Sequence, residues 1–314
     1  MASSGDLLAD RRYAYAEAAF AEGDGQAAID LARQALELAP GFAAAWFLLG
    51  RAYEARFRTE GSGVESADFR DAVAAFESAR AADRADRLGA GLRLARLGVE
   101  DSLSAMSPGY VQAVFDEYAI RFDRHLQRSL KYRGPALLHD AVRRACFARG
   151  RPFRFDRALD LGCGTGLAAE AFRAECGHMA GIDLSRAMVA KAEGKRLYDE
   201  LAVGDLVEWL AARPDGSADL ALAADVLVYL GDLRPVFAAV ARVLGPGALF
   251  AFTVQAGEGE DVTLGEDLRF AHSEPHLRRL AAECDLSVLL LESGSTRENR
   301  GVSAPGLIAA FARA

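Results

Sequence analysis

Asp160, Gly162, Gly164 and Gly166 stand together in the segment Ala158-Leu159-Asp160-Leu161-Gly162-Cys163-Gly164-Thr165-Gly166. Glycines at that spacing let the backbone turn tightly and approach a ligand at van der Waals distance, where a side chain would collide. A dinucleotide site shows G-x-G-x-x-G and aims a helix N-terminus at a pyrophosphate. Here the spacing is G-x-G-x-G, and a carboxylate two residues ahead of the first glycine repels pyrophosphate and attracts an ammonium group. Asp183, in Gly181-Ile182-Asp183-Leu184-Ser185, is placed to accept hydrogen bonds from both hydroxyls of a ribose. Asp205, in Val203-Gly204-Asp205-Leu206, is placed to accept from the exocyclic amine of a purine. Taken singly, each acid reads equally well as a helix N-cap. Their shared position at the ends of successive apolar runs favours a crevice for a nucleoside that carries positive charge.

S-adenosylmethionine combines such a nucleoside with an amino group and a sulfonium. The segment Asp160 to Gly166 resembles the first motif of class I S-adenosylmethionine-dependent methyltransferases, Gly181 to Met188 the second, and Gly204 to Leu206 the third, so that residues 157–254 look like that family's core. Tyr110 to Leu138, Ala223 to Leu233 and Arg269 to Glu274 resemble a bacterial subgroup of the family that is fused to N-terminal tetratricopeptide repeats. The resemblance implies that Asp160, Gly162, Gly164 and Gly166 hold the methionine end, Asp183 and Leu184 the ribose, and Met188 one face of the adenine. It likewise implies that Asp205 and Leu206 hold the adenine edge, with Ala224 and Asp225 beneath the sulfonium and Tyr118 and Tyr132 in a lid. The fold it implies is α/β, a Rossmann-like, seven-stranded, mostly parallel sheet whose last strand is antiparallel.

Transfer of an already activated methyl group is an in-line displacement, so alignment supplies most of the acceleration. A base is needed only where the acceptor must lose a proton. His272 is the first candidate, read as lying in a loop after the fifth strand, because imidazole titrates near neutrality; His125 on the lid helix is the second. A lone histidine is more often structural. Asp225 and Tyr229 are candidates for positioning the acceptor. The tetrapeptide N-P-P-Y, used where amide or base nitrogens are methylated, is absent; the corresponding site reads Asp225-Val226-Leu227-Val228-Tyr229. The catalytic cysteine pattern of cytosine methyltransferases is missing as well.

Elements that would position these residues are legible as a change of pattern along the chain. From Arg157 onward, apolar runs at 157–161, 178–183, 201–204, 218–223 and 247–254 alternate with helical stretches such as 167–176 and 185–194, the signature of a parallel sheet covered by helices. Leu286 to Glu292 and Leu307 to Ala312, with a hairpin from Thr296 to Pro305 between them, close the sheet. An aromatic-bearing helix, Tyr110 to Leu130, carries Phe115, Tyr118 and Phe122 on one face and precedes the sheet. Upstream, Trp46, Leu49, Gly50 and Tyr53, followed by Ala72, Phe76 and Ala79, resemble one tetratricopeptide unit. Relative to a period of roughly 34 residues, that unit carries an inserted loop over Arg58 to Ser66. Ala28, Ala32, Ala35 and Pro40 mark a degenerate preceding unit, and Arg87 to Leu97 a capping helix. An unrelated alanine-rich bundle is the alternative. The expected division is a tetratricopeptide-like all-α module over 1–101, linker and lid over 102–150, and the cofactor domain over 151–314.

Composition narrows the function. With 51% hydrophobic and 26% charged residues the chain has enough apolar material to pack throughout. A net charge of -8 argues against nucleic acid, whose binding relies on a basic stripe. Cys146, Cys163, Cys176 and Cys284 form no C-x-x-C pair, so neither a metal site nor a disulfide framework is expected, and a reducing cytoplasm fits. No run approaches a membrane span. The leading expectation is an enzyme methylating a small molecule with S-adenosylmethionine. The alternatives are a protein methyltransferase that recruits its partner through the repeats, and a non-catalytic interaction protein that binds S-adenosylmethionine.

Overall fold

The computed structural model describes residues 3–60, 63–64, 66–123, 131–299 and 302–314. The chain divides into two compact units, residues 1–110 and 111–314.

Among the described residues, the helices of the first unit are α1 (Leu7–Ala21), α2 (Gly25–Leu38), α3 (Ala43–Glu60), α4 (Ala67–Ala82) and α5 (Ala90–Arg96). Their starts are specified locally. Asp6, Asp24 and Ser66 cap α1, α2 and α4 with side-chain oxygens, and Asp86 accepts from the N–H groups of Ala90 and Gly91 at the head of α5. One apolar cluster runs through all five, with Ala28, Ala32, Leu49, Tyr53, Ala72 and Phe76 among its buried members. Small residues are what let α3 and α4 approach. A Cβ on Gly50 would lie 2.7 Å from the Phe76 ring, which Phe47 meets from another side at a centroid distance of 5.6 Å.

Helix α6 (Pro108–Tyr118) begins at a proline capped by Ser107, whose hydroxyl accepts from the Tyr110 N–H at 3.0 Å. It ends at Tyr118, short of the expected Leu130; residues 124–130, and with them the candidate base His125, lie outside the described residues.

In chain order the second unit continues with α7 (Gly134–Ala148), β1 (Phe155–Leu161), α8 (Leu167–Phe172), β2 (Cys176–Asp183), α9 (Arg186–Lys195), β3 (Glu200–Val203), α10 (Leu206–Ala211), β4 (Ala218–Ala223), α11 (Arg234–Val243), β5 (Leu244–Ala256), β6 (Val262–Leu264), β7 (Phe270–His272), α12 (Glu274–Glu283), β8 (Leu286–Gly294), β9 (Glu298–Asn299), β10 (Val302–Ser303) and β11 (Gly306–Arg313). The main sheet runs in the order β3-β2-β1-β4-β5-β11-β8. Strands β3, β2, β1, β4 and β5 are parallel, and β11 is antiparallel to both β5 and β8. This is a Rossmann-like arrangement in which the strand order reverses at β1/β4. The sheet has nine strands where seven were expected, because β6 and β7 pair with each other and β7 adds to the end of β5 at Gln255 and Ala256. Both added strands are only three residues long, too short to show a period.

Alternation along the strands explains the two-sided core. Leu159, Ala221, Phe250, Phe252 and Phe311 pack with α10, α11 and α12 on one face. Their neighbours Ala158, Leu220, Leu249, Ala251 and Ala310 pack with α7 and α8 on the other. Strands buried on both faces must be apolar throughout. The polar positions at their carboxyl ends are therefore the exceptions that need a reason.

Replacing Gly50 with Val forces a branched side chain onto Phe76. Overpacking of this kind costs about 1–3 kcal/mol. The expected result is a lower urea midpoint for the first unit, read by Trp46 fluorescence in a Trp209→Phe background; an unchanged midpoint would mean that α3 and α4 are not held at this distance.

Candidate functional site

Strand β1 ends in a loop whose backbone conformation only glycine adopts freely. Gly162, Gly164 and Gly166 all have positive φ (69°, 52° and 88°). At Gly162 there is no room either, since a Cβ would meet Val226 Cγ2 at 2.5 Å. The loop is fastened to the next strand by the Cys163 N–H, which donates to the Ile182 carbonyl at 2.8 Å, and by the Gly164 N–H, which donates to Asp183 Oδ2 at 2.9 Å. Asp183 Oδ1 accepts from the Ser185 N–H at 2.8 Å and so also shapes the turn into α9. The first two sequence motifs are thus one structure, bridged by a carboxylate.

Because β1, β2 and β4 are parallel neighbours, their ends deliver Asp160, Asp183 and Asp225 to one side of the sheet. Asp160 is 1% exposed. Burial pushes its carboxyl up to about 7, against the pull of the Tyr198 hydroxyl, which donates to Oδ2 at 2.5 Å; Asp183 nearby adds to the rise. Burial also raises Asp183, its bonds from Ser185 and Gly164 oppose this, and Asp116 reinforces it. Asp225 sits at φ 62°, a conformation that strains a non-glycine residue, and its N–H donates to Thr253 Oγ1 at 2.9 Å. Its carboxyl is raised by burial and drawn back by Arg269 and Thr296. Arg297 pairs with Asp225 Oδ2 at 2.7 Å. Tyr132 lies within the field of Asp225, Asp160 and Tyr229, and burial holds its phenol far above the usual range.

An aromatic wall comes from α6 and the turn at 227–229. Phe115 meets Tyr229 edge to face at 5.2 Å, and Tyr118 meets Phe122 likewise at 5.1 Å. Two acids tie this wall to the loops below it. Asp116 Oδ1 accepts from Ser185 Oγ at 2.6 Å and the Ala187 N–H at 3.3 Å. Asp123 accepts from the Thr165 hydroxyl and pairs with Lys195 at 3.1 Å. Both acids lie in the Tyr110 to Leu138 segment, and Arg269 opens the Arg269 to Glu274 segment, but the resemblance of those segments assigned these three residues no role; Tyr198 and Arg297 gave no signal.

The remaining candidates separate. Asp205 caps α10 through Oδ1, accepting from Val207 at 2.8 Å and Glu208 at 3.1 Å, so the N-cap reading of that acid holds in this structure. Leu206, the first residue of α10, packs its half-buried side chain against the core on that face of the sheet. Met188 is fully buried within α9, and Leu184 and Ala224 are half-buried at the ends of β2 and β4. His272 is not in a loop and not open to solvent. It ends strand β7 with no exposed surface, and its Nε2 lies 3.3 Å from the Leu227 carbonyl. Burial, with His276 stacked at 5.8 Å, pushes its pKa down to about 4. Through its contact with Leu227 the enclosed imidazole supports the 227–229 turn. Among the described residues no cluster of three metal-ligating side chains occurs, and no helix is long and apolar enough to cross a membrane.

Residues 159–252 match the family model described as a methyltransferase domain. The chain is 34% identical over 102 residues to a ubiquinone biosynthesis O-methyltransferase of Hahella chejuensis, covering 31% of this chain and 43% of that protein. It is 36% identical over 92 residues to the dTDP-4-amino-2,3,4,6-tetradeoxy-D-glucose N,N-dimethyltransferase of Saccharopolyspora spinosa, covering 29% and 37%. The chain thus spans less than half the length of these curated relatives. Among solved structures, N-methyltransferase NodS of Bradyrhizobium japonicum WM9 in complex with S-adenosylhomocysteine is similar at 18% identity and a TM-score of 0.49, covering 64% of this chain and 97% of that one.

Two buried groups give opposite pH dependences of stability. Asp160 binds a proton in the folded state up to about pH 7, whereas an unfolded aspartate releases it near 3.8, so its contribution falls as pH rises between those values. His272 stays neutral in the folded state down to about 4 but titrates near 6.5 when unfolded, so its contribution falls as pH drops through that window. Asp160→Asn keeps an acceptor for Tyr198 and removes the first slope. It is expected to stabilise the ligand-free protein above pH 7, by about 4 kcal/mol at most, to leave pH 4 unchanged, and to expose the histidine slope. Thermal melts from pH 4 to 8 check this; an equal effect at every pH would remove the raised carboxyl from the account.

Proposed function

We propose, from the premise that the second unit carries a class I S-adenosylmethionine-dependent methyltransferase domain, that this protein transfers a methyl group from S-adenosylmethionine to a small-molecule acceptor. The observation that carries the proposal is the meeting of Asp160 and Asp183 around a loop whose three glycines all have positive φ and whose Gly162 has no room for a side chain, a setting that suits a cationic amino acid and a ribose.

In this reading Asp160 and the Gly162, Gly164 and Gly166 backbone hold the methionine end. The two oxygens of Asp183, each using one lone pair on a backbone N–H, keep the other for the ribose hydroxyls. Leu184 lies beside the ribose, Met188 on one adenine face, and Asp205 and Leu206 along the adenine edge. Ala224 and Asp225 lie beneath the sulfonium, and Tyr118 and Tyr132 close the site. When bound, the cofactor supplies an electrophilic methyl group whose displacement needs a collinear nucleophile. Asp225 and Tyr229 orient that nucleophile, while His272 acts only by holding the turn on which Tyr229 sits. The four free cysteines suit a reducing compartment, which keeps the cytoplasm within the proposal.

A second reading, a protein acceptor recruited by a tetratricopeptide-type first unit, draws on one observation. A groove of about 480 Å³, lined by Arg33, Trp46, Tyr53 and Asp71 among others, opens in that unit.

Calorimetric titration should show micromolar binding of S-adenosylmethionine and S-adenosylhomocysteine and none of NAD. Asp183→Ala should weaken both by at least tenfold, since two ribose bonds to a charged group are lost; unchanged affinity would displace the nucleoside from this crevice. Arg33→Glu in the first unit should leave turnover of a small acceptor within twofold, whereas a selective loss on protein substrates would favour the second reading.

A further inference from the structure

Asp160 and Asp183 stand at the ends of β1 and β2, and near Asp225, past the end of β4, lies a cation that has Asp225 and Asp267 within its field but no close ion pair among the described residues. Arg269, at the entry to β7, holds its guanidinium 5.5 Å from the centre of the Tyr229 ring. It is half-buried and near enough to Asp225 to lower that carboxyl's pKa, yet among the described residues it makes no ion pair. Arg297, by contrast, is committed to Asp225 at 2.7 Å. Arg269 also lies in the field of Tyr118, and Arg121 stands over the Tyr118 ring at 5.8 Å. In a chain of net charge -8, two arginines set against one aromatic wall run against the average. A half-buried guanidinium resting on a ring keeps its planar fork of donors available for an oxyanion.

We infer that the acceptor is a planar molecule bearing a carboxylate, held by the Arg269 guanidinium and the Phe115 and Tyr229 rings. The inference rests on the methyltransferase reading and names the substrate class for that same site. A single fork matches a single carboxylate bidentately. The fork also fits a phosphate, but one guanidinium balances only the single charge of a carboxylate, and the second charge of a phosphate dianion would be left beside an exposed Arg121. The Phe115 and Tyr229 rings, set at 88° to one another, form an aromatic corner in which a planar ring can meet one face and one edge, which suits an aromatic or conjugated body better than a sugar. Binding a carboxylate there also lowers the electrostatic cost of having a guanidinium and a sulfonium in one crevice.

The test uses the full chain saturated with S-adenosylhomocysteine, its occupancy fixed by calorimetry, and two fluorine probes, 4-fluorobenzoate and its neutral twin 4-fluorobenzamide, followed by 19F NMR. The expected result is saturable binding of the benzoate at least tenfold tighter than the benzamide. Arg269→Gln should erase that preference and Arg269→Lys should retain part of it, with affinity for S-adenosylhomocysteine in both variants within twofold of the parent. Equal binding of the two probes, no saturable binding of the benzoate, or a preference that survives in Arg269→Gln would overturn the inference while leaving the cofactor reading intact. Failure of S-adenosylhomocysteine itself to bind would instead overturn the reading on which it rests.

Discussion

Carboxyl groups buried side by side in one crevice are the constraint from which the second unit's architecture follows. Parallel strands deliver their last residues to the same side, so β1, β2 and β4 bring Asp160, Asp183 and Asp225 together. Repulsion between carboxylates grows as the local dielectric falls, and burial penalises each ionised form besides. Each acid is answered differently: Asp160 by a phenol, Asp183 by two backbone N–H groups, Asp225 by a guanidinium. None of these answers cancels the effect of burial, and all three carboxyls remain above their ordinary values.

Holding such groups in place needs a scaffold that cannot relax away from them. The sheet provides it, because its central strands are buried on both faces and clamped between α7 and α8 on one side and α10 to α12 on the other. The loop after β1 is rigid for a second reason, since Gly162 packs against Val226 and the Asp183 carboxylate bonds across it. The strained conformation of Asp225 is fixed by Thr253, a fully buried threonine in the mostly apolar strand β5. That one hydroxyl marks where β5 stops serving the core and begins serving the site.

Most of the sheet and the glycine loop were legible in the sequence because they depend on local pattern: apolar runs of strand length, glycines at turn spacing, acids at run ends. Strand β4 spans Ala218–Ala223, the same residues its apolar run suggests. What was hidden depends on distance along the chain. Tyr198 reaches Asp160 across a separation of 38 residues and Asp116 reaches Ser185 across 69, and nothing in the flanking residues announces either contact. His272 was misplaced for a related reason. Its three-residue strand is too short to carry a period, and its burial is produced by β5 and the 227–229 turn.

The polarity of the crevice bears on how fast a methyl group can leave. An acid placed against a sulfonium stabilises the ground state more than the transition state, where the positive charge is already spreading toward the acceptor, and so slows the step. On the proposed reading Asp160 and Asp183 avoid that penalty, because they hold the amino group and the ribose, which keep their charge and hydrogen bonds throughout the reaction. Asp225 would stand nearest the sulfonium, and it is the acid paired with an arginine. The pairing leaves a polar group that can orient without a net charge that over-stabilises the cation. On the same reading Arg269 holds the acceptor's carboxylate, whose charge does not change as the bond forms, so it adds no penalty of this kind. A site with its carboxylates reversed, free beneath the sulfonium and neutralised at the methionine end, would bind the cofactor as tightly and transfer its methyl group more slowly.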